Sequence, residues 1–499
     1  MNLREILIKV RRRLLLAAAL PSLFLFKEVF LPSLLFSFSS SAAISSPDSF
    51  EARFTGRTMR VDLFHTGGPK GEVVALDRVV DDGPWPGSRT RLLDETNLGS
   101  NLFEVRDAGT NRVIFSRGYS SMFSEWEQTD EARRAARTFP ESLRLPWPRE
   151  KVRIVLERRD RANVFHELFS AVIDPEGPEA NPAPRAPMGR VWTVFENGPA
   201  SAKLDLLLLG EGYAEKELPK FHADVRRLVD ILFTYEPFRS RRADFNVRAL
   251  DLPDSESGVL RPDSKIFRRT PLSVQYGIFG SERYMLTYDD RALREAASAA
   301  PYDFLEILVN DARYGGGGIY NFQATASADT GFSEYVFVHE FGHHIAGLAD
   351  EYYGSDVAYE TGGERPEPWE PNVTAMHDPK ALKWADLVEK GTPLPTPWEK
   401  EAFEKHTREV QAERKKLIAS GAPPSALDDL FRRQMAVDSR LLSTMTWSGK
   451  VGAFEGAAYE AKGLYRPSAD CIMFTRDPGG FCPVCRRAIG RVIDEYSRP

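Results

Sequence analysis

The stretch EYVFVHEFGHHIAGLADEYYG, residues 334–354, gathers three of the chain's eight histidines and four carboxylates into a largely apolar run. His339 and His343 stand four positions apart, so on an α-helix their imidazoles share one face and can reach a common ion. Neutral imidazole nitrogen binds zinc at about 2.0–2.1 Å, a distance two such rings can share. Glu340 is rotated by about 100° from His339. It flanks the ion without ligating it, which is where a general base for an activated water belongs. An imperfect copy, HELFS from His166, has Ser170 in place of the second histidine and is expected to be inert. His344 falls off the shared face, which predicts packing or surface exposure for it.

A zinc centre that performs chemistry takes three protein ligands and keeps one position open. Gly347 is placed to end the helix in the left-handed conformation. The chain can then turn back and present Asp350 or Glu351. Asp350 has the shorter side chain, which suits a ligand held by a tight turn, and Glu351 is the alternative. The one not used as a ligand is available as the partner of an imidazole N–H.

Several elements must position these residues. KLDLLLLGEGY (203–213) reads as a buried strand, and Leu218, Phe221, Val225, Leu228 and Leu232 then recur at helical spacing. DFNVRALDLP (244–253) is a second strand, so the three form a crossover unit. DFLEILVN (303–310) is a further strand, followed by Gly315, Gly316, Gly317 and Gly318. No GK[ST] follows those glycines, so they mark a close backbone approach or a turn rather than a phosphate cradle. Residues 50–173 alternate with period two, as Met59, Val61 and Leu63 do against Arg60 and Asp62, which predicts an antiparallel β-sandwich. The proline-rich segment 174–189 reads as a linker, 190–499 as the catalytic domain, and about 398–440 as a charged helical insertion. The expected fold class is mixed α+β: a β-sandwich followed by a zincin-like α/β domain.

The formal charge of −6, without a basic tract beyond the N-terminus, gives no sign of a nucleic-acid partner. At the N-terminus, basic residues precede an apolar run and then small residues. Residues 1–43 therefore read as an export signal, with a retained membrane anchor as the alternative. Export agrees with a chain whose only cysteines are Cys471, Cys482 and Cys485. The Cys482–Cys485 spacing suits redox or zinc chemistry, but a structural zinc site needs four ligands and the local sequence supplies no fourth. One local disulfide is expected instead.

An HExxH helix, a glycine turn, a third ligand and a later methionine-bearing turn form a metzincin-like order, with LYRPSADCIMF (464–474) offering Met473. More specifically, LLLLGEGYAEKELPKF, FNVRALDLPDSESG, RYGGGGIYN, VFVHEFGHHIAGLADEYY, GTPLPTPWE and GLYRPSADCIMF resemble the bacterial IgA-peptidase family of zinc metallopeptidases. The β-rich N-terminal region is similar to the one that precedes the catalytic domain there. The resemblance implies a zinc endopeptidase, with His339 and His343 as ligands and Glu340 as base. The general metzincin spacing would put the glycine and the third ligand at Ala346 and Ala349; here Gly347 and Asp350 are each displaced by one.

The function expected is hydrolysis of a protein or peptide substrate by a zinc-activated water. Tyr352, Tyr353 and Tyr465 are candidates to stabilise the oxyanion, and Gly315–Gly318 a candidate edge for pairing with extended substrate. A zinc hydrolase acting on another carbonyl centre, and a non-catalytic surface binding protein, are the alternatives.

Overall fold

The computed structural model describes residues 49–353, 366–476 and 479–497. The expected export segment at 1–43 lies outside them. No helix among the described residues is long and apolar enough to cross a membrane.

The N-terminal region consists of two four-stranded sheets. One runs Arg137–Pro148, Phe54–Gly68, Gly71–Pro84 and the short parallel Ala180–Asn181; the other runs Val113–Tyr119, Asn101–Asp107, Val152–Arg159 and Phe165–Ile173. Met59, Val61, Leu63, Val105, Phe115, Leu145 and Ile154 form one core between them. The alternation that predicts the sheets also predicts solvent beyond Arg60 and Asp62, and there the structure differs: both are buried. The far face of that sheet lies against the C-terminal half. Arg144 donates to the Tyr302 carbonyl at 2.8 Å, and Arg78 to Glu295 at 2.6 Å. Arg60 is compensated by Asp62 and Asp82, as a buried guanidinium must be.

The C-terminal half is built on a six-stranded sheet in the order Gly316–Ile319, Gln323–Ser327, Phe304–Val309, Leu204–Glu211, Phe245–Asp251, Arg190–Phe195. The four inner strands are parallel and both edges antiparallel. The leucine run is buried on both faces, as inner parallel strands are. Leu204, Leu206 and Leu208 join a core with helices Leu218–Leu232, Ser333–Ala346 and Pro483–Ser497. Leu207 and Leu209 join a second core with helix Asp290–Ala297. The charged segment forms two helices, Lys400–Ala419 and Pro424–Ser443, held down by Val410, Leu430 and Phe431 against Phe332.

The glycine run is the first edge strand, and its glycines answer to close packing. A Cβ on Gly318 would lie 2.3 Å from the Glu340 carbonyl oxygen, and one on Gly316 2.6 Å from Val336. Side chains there would push helix Ser333–Ala346 off the sheet and carry its histidines with it.

Candidate active site

Helix Ser333–Ala346 is apolar nearly all round because it is sandwiched between the sheet and the C-terminal helix. Gly342 lies where a Cβ would meet Phe481 at 2.8 Å and the Met473 sulfur at 3.2 Å, so the buried Met473 supports the helix from below. Gly347 ends the helix at φ 56°, ψ 35°, its N–H donating to the His343 carbonyl at 3.0 Å.

On this helix the His339 and His343 rings meet edge to face with centroids 4.8 Å apart. Their Nε2 atoms are 3.1 Å apart, and Asp350 Oδ1 lies 3.1 Å from the first and 3.3 Å from the second. The other ring nitrogens face carbonyls: His339 Nδ1 lies 2.9 Å from Ile472 O, and His343 Nδ1 contacts Leu348 O. A carbonyl can only accept, so each Nδ1 carries the hydrogen, and each ring in its neutral form offers a lone pair at Nε2. Two such lone pairs and a carboxylate oxygen converge on one point. Like acceptors packed this closely call for a cation between them.

The electrostatics likewise favour positive charge at that point. Burial is the strongest influence on His343 and pulls it down, yet Asp350, Glu340 and the Leu348 carbonyl together raise it to about 9. Burial would raise Asp350, but the two imidazoles hold it well below the usual carboxylate range. Glu340 is half-buried beside the pair and is raised, by burial first and by Asp350, against the pull of both histidines and Arg283. Behind it Glu306, on the Phe304–Val309 strand, is fully buried with neither carboxyl oxygen hydrogen-bonded. Burial, then Glu340, pushes it far up and so favours its uncharged form.

The remaining predicted residues separate. Glu351 turns away from the histidines; its carboxylate accepts from Asn372 at 3.0 Å and lies 3.4 Å from Cys485 Sγ. It therefore does not take the expected place beside an imidazole N–H, which Ile472 and Leu348 fill. Tyr352 stacks on His339 at 6.3 Å, and its hydroxyl accepts from Arg283 at 2.8 Å. Tyr353 packs instead against Phe474 and under Lys400. The backbone of Tyr465 bridges to Thr374. His344 is buried, with Nδ1 at 2.9 Å from Ile319 O and Nε2 accepting from Leu305 N at 3.3 Å; desolvation drives it down to about 3. The expected disulfide is not formed. All three cysteines are free, and Cys471 and Cys485 have their sulfurs 3.8 Å apart, against about 2.0 Å for a bond.

Three contributors escaped the sequence reading. Tyr459 puts its hydroxyl on Asp350 Oδ2, Arg283 faces Tyr352, and Ile472 lends its carbonyl to His339. Only Ile472 carried a signal, as the neighbour of Met473.

Residues 193–493 match the family described as IgA Peptidase M64, and residues 49–170 match Peptidase M64 N-terminus. The chain belongs to the IgA peptidase M64 family. As an M64 member it is a peptidase, and the N-terminal sheets, apart from the end of Phe165–Ile173 and the short Ala180–Asn181, fall within the family's own N-terminal region. No curated protein matches the chain. His339, Glu340 and His343 of this M64 peptidase place ligating atoms within 4.8 Å of one another, a grouping able to hold a metal ion.

Proposed function

We propose that the chain is an exported zinc endopeptidase in which His339, His343 and Asp350 hold the ion and Glu340 is the general base. The observation that carries this reading is the convergence of two imidazole lone pairs and one carboxylate oxygen within 3.3 Å. Nitrogen and oxygen donors in that number suit a catalytic zinc, which leaves a fourth position free. When bound, zinc would supply Lewis acidity towards water and the peptide carbonyl.

The protein's own groups do the rest. Glu340 accepts the proton of the attacking water and returns it to the leaving amine. Its raised affinity for a proton, set by burial, suits both transfers. Tyr459 fixes Asp350 through the oxygen that does not face the histidines. Of the three tyrosine candidates Tyr352 remains: its hydroxyl accepts from Arg283, so its own proton is available for a developing oxyanion. Substrate in extended form would pair with the glycine edge strand. The Gly316 N–H is already taken by the Arg283 carbonyl at 3.2 Å. Alternation then gives the next outward-facing position to Gly318, which is half-exposed.

The test is digestion of casein or a peptide library with and without a chelator. Chelator-sensitive cleavage restored by zinc is expected; cleavage indifferent to thorough metal removal contradicts the proposal.

A further inference from the structure

A second group of donors lies beneath the Met473 turn and takes no part in the proposed reaction. Cys471 belongs to that turn, whose Phe474 and Thr475 N–H groups donate to its carbonyl at 2.8 and 3.0 Å. Cys482 and Cys485 stand at the start of helix Pro483–Ser497, and Glu351 arrives from the segment after the histidine helix. Their exposures are 3, 4, 0 and 0%. One ligating atom from each lies within 4.8 Å of the others.

The spacings fit an ion. Tetrahedral coordination with bonds of about 2.3 Å to sulfur and about 2.0 Å to oxygen has S···S and S···O edges of about 3.8 and 3.5 Å. The Cys471–Cys485 sulfurs are 3.8 Å apart and Cys485 Sγ is 3.4 Å from Glu351 Oε1. Glu351 Oε2 is buried without a hydrogen-bond partner, a cost that a nearby cation removes. The carboxylate is also aimed: Asn372 donates to Oε1 at 3.0 Å while its amide is fixed to Ala349 N and O at 2.8 and 2.9 Å. Arg466, fully buried, is within electrostatic reach of Glu351 and Cys471, as suits a site that stays anionic when filled.

We propose that Cys471, Cys482, Cys485 and Glu351 bind a second zinc ion in a closed, four-ligand structural site. Binding replaces the thiol protons, which leave to solvent, and involves no oxidation. The site's place in the chain gives it a role. Glu351 is next to Asp350, and Cys471 is next to Ile472, whose carbonyl holds His339. The ion would clamp together the segment bearing the carboxylate donor, the turn that orients an imidazole, and the C-terminal helix. The Met473 carbonyl, which accepts from Glu351 N–H at 2.8 Å, already joins the first two.

The inference does not depend on peptide hydrolysis and is tested without it. The full chain bearing His339→Ala and His343→Ala is loaded with cobalt(II). Intense thiolate-to-cobalt absorption in the near ultraviolet is expected, with one zinc per chain when purified in that metal. All three thiols should react with a thiol reagent only after chelation or denaturation. Should that double variant not fold, the wild-type chain gives the same reading: two metals, and a thiolate band lost in Cys482→Ser. Absence of the thiolate band, or one free thiol accompanied by a disulfide, overturns the proposal. A chain that shows the band yet cleaves nothing leaves the second site standing and removes only the peptidase mechanism.

Discussion

Two buried histidine clusters in this protein end in opposite ways. In the N-terminal sheets, His65 lies between Glu141 and Glu72, each 3.0 Å from a ring nitrogen. Both nitrogens face acceptors, so a proton on each satisfies the cluster from within. Burial opposes that charge, but the carboxylates prevail and raise His65 to about 9. In the C-terminal half, His339 and His343 each give one nitrogen to a carbonyl and turn the other towards each other and Asp350. In that cluster three acceptor atoms from three side chains converge on one point. Histidine beside carboxylate is therefore not by itself the sign of a metal centre; what distinguishes the two is that nitrogens of two rings and one carboxylate oxygen converge in the second, whereas a single ring stands between carboxylates in the first.

The comparison can be broken most severely at His343. His343→Ala removes one of three converging donors, and both bound metal and hydrolysis should fall to background, measured by elemental analysis beside a digest. His65→Ala should do nothing of the kind. It leaves Glu141 buried without its cation, so a loss of about 3–5 kcal/mol in unfolding free energy is expected with metal content unchanged.

pH sharpens the contrast further. The folded His65 titrates near 9, above the ordinary value of 6.5, so its stabilising contribution is complete below about 6.5 and is lost as pH rises through 9. Glu72 and Glu141 are held low, and their contribution is lost only in acid. Denaturant melts at pH 6.5 and 9 should lose on the order of 2–3 kcal/mol between them in the wild type and clearly less in His65→Gln. The smallest effect belongs to Tyr459→Phe. It frees one Asp350 oxygen and should weaken metal binding by about 10–100-fold with little change in melting temperature, read by competition with a chelator.

How far the sequence carried these conclusions depends on how local each signal is. The HExxH spacing and Gly347 are properties of one helix and its end, and they place His339, Glu340 and His343 without knowledge of the fold. The leucine run likewise needs only its own composition to be a doubly buried strand. Arg60 and Asp62 mislead because alternation predicts which face they share, while burial of that face is decided by Tyr302 and Glu295, more than 200 positions away. The adjacent carboxylates of Asp350 and Glu351 are separable only by their targets. Those targets, Tyr459 on one side and Asn372 with the cysteines on the other, come together only in three dimensions. The cysteines suffered most: with no fourth ligand nearby in sequence, a disulfide was the economical expectation, and the carboxylate that completes the group lies 120 residues upstream of Cys471.

The most direct test of the account is the Glu340→Gln variant, assayed for metal content and peptide hydrolysis on one preparation. The amide keeps the side chain's shape and removes its basicity. Metal content equal to wild type with hydrolysis reduced by at least about 10²–10⁴-fold is the predicted result. Undiminished hydrolysis, with the metal in place, would contradict it.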